Sequence, residues 1–427
     1  MSRQTQTWDD SLTIAAESHV GMRRLNNQDS YVVLPAEDRE TWQNRGHLFA
    51  VADGMGAHAA GELASKLAVE GVAHNYYKYR SLSPPEAILK AVEETNSEIH
   101  RRGQANTEFH NMGTTLSCLL ILPQGALVAH VGDSRVYRLR KGVLHQLTFD
   151  HSLVWEMRAA GQIKSTGAES GIPRNVITRS LGPNPSVQVD LEGPFLIEPG
   201  DQYLICSDGL MARIEDEDIG TVLGALPPDE AAKYFVNMAN VRGGPDNTTV
   251  IIVQAEPGSF QCESKTAPPL VVDSSLETMR TVPVWIWVAA GILAVLAVGL
   301  FAVSQPIAAV ICALLATATG IGSYLYLHAG TPGELLAGGR RLGKGPYVQE
   351  SCPVNTTSIG RIISAVEELI SPDAGRSTNS EVQRVLECLK EARQQNEHHA
   401  FHDALRLTSV AYRILIEQHQ RFMSGGG

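Results

Sequence analysis

The sequence predicts an α+β domain over roughly the first 255 residues, then an apolar helical hairpin, then a small all-α C-terminal region. Three observations predict this order. Apolar, β-rich runs are mixed with helical periodicity up to about residue 255. Residues 281–333 contain no Asp, Glu, Lys or Arg, a gap of 53 positions. Beyond residue 355, apolar residues recur only at helical spacing. At about 150 residues per domain, the 427 residues allow two or three units.

The composition narrows the function classes. Lys plus Arg is 35 and Asp plus Glu is 46, a net charge of −11, which gives no global attraction to nucleic acid or an anionic surface. With 43% hydrophobic and 19% charged residues the chain can bury a full core, which excludes wholesale disorder. The six cysteines are scattered without a CxxC pair, so neither a zinc cage nor a disulfide framework is expected. The polar first ten residues predict no cleaved signal peptide.

In chain order, strands are expected at 47–52, 114–122, 126–131, 202–206 and 248–254. Helices are expected at 61–79 and 84–102, with Asn96, Glu98 and Arg101 of the second facing water. These define a domain at 10–255. Residues 256–280 mix Pro, Ser, Thr and charge and read as a linker. Residues 282–303 and 307–327 are each about long enough to cross a ~30 Å hydrocarbon core. Arg280 flanks one end of this hairpin and Arg340, Arg341 and Lys344 the other, while the turn is uncharged. The expectation is a multi-pass protein of the cytoplasmic membrane with both flanks in the cytoplasm. A Gly-rich basic linker at 330–352 leads to about three helices at 353–423, with stripes such as Ile359, Ile362, Ile363 and Val366 suited to self-association or docking.

The chemistry lies in carboxylates. Asp53-Gly54 ends an apolar run, and Asp208-Gly209 repeats the device. Asp133 and Asp246 give a third and fourth, and Asp29 makes five aspartates at strand–loop junctions. Brought together by one sheet end, such carboxylates repel one another strongly. Hard divalent cations relieve that repulsion, and all-oxygen ligation favours Mg²⁺ or Mn²⁺ over zinc.

The residues also carry a family pattern. Gly21-Met-Arg-Arg24-Leu-Asn-Asn-Gln-Asp29-Ser is followed by Val51-Ala-Asp53-Gly54-Met55-Gly56, Gly61-Glu62-Leu-Ala-Ser65 and Met112-Gly113-Thr-Thr115. Gly132-Asp133-Ser-Arg135-Val-Tyr137, Leu147-Thr-Phe-Asp150-His151-Ser152, Ile177-Thr-Arg179-Ser-Leu-Gly182, Cys206-Ser-Asp208-Gly209 and Asp246-Asn247-Thr-Thr-Val continue it. In this order the blocks, spanning about 10–255, closely resemble the bacterial metal-dependent protein phosphatase (PPM, or type 2C) family.

The resemblance implies an αββα β-sandwich with a binuclear Mg²⁺/Mn²⁺ site at one end. Asp53 would bridge both metals and the carbonyl of Gly54 would ligate one. Asp208 and Asp246 would hold the other, and Asp29 would act through bound water. Asp133 with Asp208 matches the pair that holds a third metal in bacterial members. Arg24 matches the arginine that clamps the substrate phosphate, with Arg23 as a solvated neighbour.

Physical chemistry supports these roles. A metal-bridging water is acidified towards neutral pH and supplies hydroxide, while cations and an Arg neutralise the phosphoryl oxygens. The implied function is hydrolysis of phosphoserine and phosphothreonine in proteins, opposing a Ser/Thr kinase. The rival is a catalytically weak phosphoprotein-binding scaffold working through the helical tail.

Some positions depart from the family pattern. Met55 stands where some eukaryotic members carry a His, so the leaving-group proton is expected from metal-bound water. Ala57 replaces a common Gly, and Ile172 lies where bacterial relatives often have His, in a segment at 165–174 that resembles the family's mobile flap. Residues 338–345 are one position short of a P-loop and read as a hinge. Cys206 has Ala212 where a cysteine phosphatase needs Arg, so it reads as a core strand residue.

Overall fold

The computed structural model describes residues 3–56, 59–163, 173, 176–258, 260, 270–272, 284–302, 304–328, 334–336, 342–370 and 380–425. From the N-terminus come β1 (Arg3–Gln6), β2 (Leu12–His19), β3 (Asp29–Leu34), α1 (Arg39–Arg45) and β4 (His47–Met55). Two long helices follow, α2 (Ala60–Lys78) and α3 (Pro84–Ala105). Next are β5 (Gly113–Thr114), β6 (Leu116–Leu122), β7 (Gly125–Val131), β8 (Arg135–Arg140) and β9 (Val143–Gln146). The order continues with α4 (Leu153–Ala159), β10 (Asp190–Phe195), β11 (Gln202–Cys206), α5 (Asp208–Met211), α6 (Asp216–Ala225), α7 (Pro228–Val241) and β12 (Thr248–Ala255). Last come β13 (Leu270–Val272), α8 (Val284–Ala302), α9 (Pro306–His328), β14 (Glu334–Leu336), β15 (Val348–Ser351), α10 (Thr356–Glu368), α11 (Ser380–Glu397) and α12 (Phe401–Gly425).

Two sheets form the centre. One runs β1-β2-β12-β11-β8-β9-β15 and the other β10-β7-β6-β4-β3. Alternation along the strands explains why they stack. In β11, Tyr203 and Ile205 join the inter-sheet core with Phe49, Val51 and Leu119, while Leu204 and Cys206 face the helices α6 and α7. β12 divides the same way, Ile251 and Val253 inward and Val250 and Ile252 outward. Strands buried on both faces read as continuous apolar runs in sequence. On the other side, α2 packs on α3 and β4. The layers are therefore helix, sheet, sheet, helix, the α+β architecture the resemblance implies.

Helix α3 begins where local chemistry dictates: Ser83 and Glu86 form a capping box and Pro fills the first turn. Asn96 on this helix does not face water. It is buried, accepting from Gly182 N–H at 2.8 Å and donating to Asn184 O at 3.1 Å. A polar residue on a helix can serve a neighbouring loop as well as solvent, and sequence alone does not separate the two.

The chain forms two compact units, Met1–Leu270 with Leu336–Gly427, and Val271–Leu335. The C-terminal region thus belongs to the first unit. β15 pairs antiparallel with β9, from Val348 opposite Gln146 to Ser351 opposite Val143. Helices α10 and α12 pack on α6 and α7, and Ile359, Ile362, Ile363, Leu405 and Tyr412 share one core with Ile219, Leu223, Tyr234 and Phe235. α6 is shaped for this contact. A Cβ on Gly220 would stand 2.3 Å from Cys352 Sγ, and one on Gly224 2.9 Å from Val354. The stripes that suggested self-association are thus covered within the chain.

In the second unit α8 and α9 pack together, joined at Ser304-Gln305. The expected multi-pass membrane location is overturned here: among the described residues, no helix is long and apolar enough to cross a membrane. α8 has 19 residues and α9 has 23, the latter carrying Thr, Gly and Ser along its length. The sequence signal was the absence of charge over 53 residues together with two apolar runs of about spanning length flanked by basic residues.

Candidate active site

The five aspartates predicted to act together come from separate elements at one end of the two sheets. Asp29 opens β3 and lies directly opposite Asp53 of β4 in the antiparallel register. Asp133 sits in the turn between β7 and β8, Asp208 opens α5 after β11, and Asp246 lies in the loop before β12. Asp29 and Asp133 are buried.

Asn247 ties this end together. Its Nδ2 donates to Val20 O at 2.8 Å and Asn26 O at 3.0 Å, and its Oδ1 accepts from Gln28 N–H at 2.8 Å. Gln28 O in turn accepts from Gly54 N–H at 3.1 Å. One side chain therefore links the loops bearing Asp246, Arg24 and Asp29 to the strand bearing Asp53. Two glycines allow the approach. A Cβ on Gly209 would lie 2.0 Å from Asn247 O, and one on Gly54 2.1 Å from Gly61 O. The Asp53 backbone is pinned by Thr115, whose Oγ1 accepts from Asp53 N–H at 2.9 Å and whose N–H donates to Asp53 O at 2.9 Å. Ser207 Oγ donates to Asp29 Oδ2 at 2.8 Å.

A second layer supports Asp133. His151 Nδ1 accepts from Gly132 N–H at 3.0 Å, and its Nε2 contacts Asp190 Oδ2 at 2.9 Å. Arg179 holds the other oxygen of Asp190 at 2.7 Å. His130 contacts Gly132 O through Nε2 at 2.9 Å, and burial, with His151 beside it, pushes its pKa down to about 3. It is neutral and acts as a fixed donor. Sequence reasoning named none of Asn247, Thr115, His130 and His151 as functional. Asn247, Thr115 and His151 stood within recognised blocks, but what they support is revealed only by long-range packing.

The electrostatics are those of crowded, buried acids. Burial, then Asp208 and Asp246, raise Asp29 to about 7; burial, then Asp208 and Asp150, raise Asp133 to about 8. Asp53 is raised well above the carboxylate range by burial and by Asp29, Asp208 and Asp133. Asp208 is raised by burial and Asp246. Among the described residues no three His, Cys, Asp or Glu side chains form a ready-made coordination group; the carboxylates act on one another through their charge, Asp53 with Asp29, Asp208 and Asp133. Their donor set still fits a hard cation. Asp29 Oδ1, Asp133 Oδ1 and Asp208 Oδ1 are buried without a hydrogen-bond partner, and oxygen donors of this kind suit Mg²⁺ or Mn²⁺.

Arg24 stands at the exposed rim, its side chain half accessible, and donates to Asp246 Oδ2 at 2.7 Å. A guanidinium has five N–H donors, so this pair leaves others for an anion. Arg23 is exposed. Cys206 is buried in β11 with its thiol pushed up by burial, which removes it as a nucleophile. Leu342 and Gly345, in the segment that imitates a P-loop, bond to Gly193 and Glu192 of β10, while residues 338–341 lie outside the described residues. Ala57 and, except for Pro173, the segment at 165–174 lie outside the described residues.

Comparisons agree with this geometry. Residues 19–246 match the family model for protein phosphatase 2C. A putative protein phosphatase 2C-type of Streptococcus pyogenes is 36% identical over 249 residues, covering 57% of this chain and 98% of that protein. Protein phosphatase PhpP of Streptococcus pneumoniae is 38% identical over 248 residues, 57% and 97%. The solved serine/threonine phosphatase of S. agalactiae is 34% identical with a TM-score of 0.51, covering 57% of this chain and all of that one. With a family match over more than half its length, this chain belongs to the protein phosphatase 2C family of metal-dependent protein serine/threonine phosphatases.

Proposed function

We propose that this chain hydrolyses phosphoserine and phosphothreonine in proteins at a two-metal centre, reversing the action of a Ser/Thr kinase. The observation that carries the reading is the gathering of five aspartates beside an exposed arginine at one end of the sheets. Asp53 and the carbonyl of Gly54, with Asp208 and Asp246, would hold two divalent cations; Asp29 would act through water, and Asp133 with Asp208 would hold a third. When bound, these cations supply an acidified water and neutralise phosphoryl charge.

The protein's own groups do the rest. Arg24 would clamp the phosphate, trading its contact with Asp246 for the incoming oxygens, a reading its exposed pairing with Asp246 supports. Thr115 fixes the Asp53 backbone, and Asn247 holds the Asp246 loop against Gln28, so the carboxylates are oriented before substrate arrives. The scaffold reading loses its working surface, since the apolar faces of the tail are buried within the chain.

The test uses the full chain and a phosphothreonine peptide. Phosphate release with Mn²⁺, abolished by chelator and restored by added metal, is expected; metal-independent binding without release would sink the reading.

A pH dependence follows from the acids. Their folded pKa values lie above the unfolded value near 4, so the metal-free fold binds protons that the unfolded chain releases. That stabilisation is fully present below about pH 4 and is lost as pH rises through the folded values of about 7 and about 8. The chelated chain should melt roughly 5 °C or more lower at pH 8.5 than at pH 5, and Mn²⁺ should remove the difference. Calorimetric scans with and without Mn²⁺ check this; equal slopes would contradict the ligand assignment.

A further inference from the structure

The two segments that carry Asp208 and Asp246 meet at one partly buried guanidinium. Arg242 caps the end of α7, next to the Gly243-Gly244 turn that leads to Asp246. Its Nη1 donates to Arg213 O at 2.9 Å, five residues past Asp208, and its Nη2 to Asp218 Oδ2 at 3.3 Å. Gly244 O, in the same turn, accepts from Met22 N–H at 2.9 Å, two residues before Arg24. Arg242 therefore sits where the Asp208 segment, the Asp246 loop and the Arg24 loop converge.

Asp218 is buried, and its second oxygen is held from the C-terminal region. Arg361 of α10 donates to Asp218 Oδ1 through Nε at 3.1 Å and Nη2 at 2.9 Å, and its Nη1 pairs with Glu217 at 2.5 Å. A buried carboxylate between two guanidiniums has one orientation; with one removed it can turn towards the other. The family match covers residues 19–246 and ends before α10, so this second clamp lies outside the matched region.

We propose that Arg361 is a positioning residue for the metal centre. By fixing Asp218 it fixes Arg242, and through Arg242 it sets the spacing of the segments that present Asp208 and Asp246. The C-terminal helices would then be a built-in part of the catalytic apparatus rather than an appended module. This rests on the assignment of Asp208 and Asp246 as ligands.

The experiment is calorimetric titration of Mn²⁺ into the metal-stripped full chain, for wild type, Arg361→Gln, Arg361→Lys and Asp208→Ala. Loss of an outer partner costs ~10–100-fold in metal affinity, and Arg361 acts at one remove, so Arg361→Gln is expected to weaken Mn²⁺ binding about tenfold. Turnover at saturating Mn²⁺ should stay within about twofold of wild type, and the Mn²⁺ concentration for half-maximal rate should rise in parallel. Arg361→Lys keeps the charge but loses the fork, and should fall between the two; it carries the test if Arg361→Gln does not fold. A purely structural Arg361 would lower the melting temperature and leave Mn²⁺ binding unchanged. That result, with Asp208→Ala binding weakly, overturns the inference alone. Asp208→Ala binding as wild type would overturn the ligand assignment beneath it.

Discussion

Asp208→Ala is expected to lower phosphopeptide turnover by about 10³-fold while leaving the chain folded. Partners that merely orient a ligand cost ~10–100-fold, so removing a ligand should cost more. Asp208 is among the most constrained of the acids. It opens α5 immediately after β11, its neighbour Gly209 packs against Asn247 O, and it interacts with Asp53 and Asp246. The mutation also removes one member of a repelling cluster, and burial of the remaining acids becomes easier. The metal-free variant should therefore melt no lower than metal-free wild type, even though it is inactive. Rates on a phosphothreonine peptide, paired with melting curves in chelator, check both halves. Activity within tenfold of wild type would remove Asp208 from the site.

Deleting residues 346–427 is expected to yield a chain that aggregates or melts more than 10 °C lower. Ile219, Leu223, Tyr234 and Phe235 are fully buried, and all share a core with Ile359, Ile362, Ile363 and Tyr412 of the deleted part. Burial of each such side chain is worth ~1.5–3 kcal/mol. Uncovering four of them even partly forfeits about 5 kcal/mol or more, a large part of a typical 5–15 kcal/mol stability. The deletion also removes β15 and bares the backbone of β9. Size-exclusion chromatography and thermal melting of the purified deletion variant measure this. A monomeric, equally stable product would mean that the helices cover nothing essential.

The catalytic half of the molecule was readable from sequence because its signals are local. Asp29 opens β3 and Asp208 opens α5, Asp53 lies two residues from the end of β4, and Asp133 and Asp246 lie in the turns just before β8 and β12. The strands were readable too, since burial on both faces leaves uninterrupted apolar runs. What was not readable depends on contacts distant in sequence. Asn247 links loops more than two hundred residues away, and nothing about an Asn before two Thr residues states that. Asn96 occupies a helix position that solvent or a loop could claim, and the loop at Gly182 claims it. The stripe of Ile359, Ile362 and Ile363 shows that something covers it; only the packing shows that the cover is α6 and α7. The uncharged run at 281–333 gave two helices in about the expected places, but not their predicted setting.

Because residues 336–427 return to the same unit as residues 1–270, the stretch at 271–335 is an insertion fastened at both ends. The covalent link across it is not what keeps the two flanking parts together. β15 remains zipped to β9, and α10 and α12 remain seated on α6 and α7, whether or not the connecting chain is intact. A single cut within the insertion would leave two fragments that co-purify as one particle. The molecule can thus be regarded as a two-piece protein that happens to be translated as one.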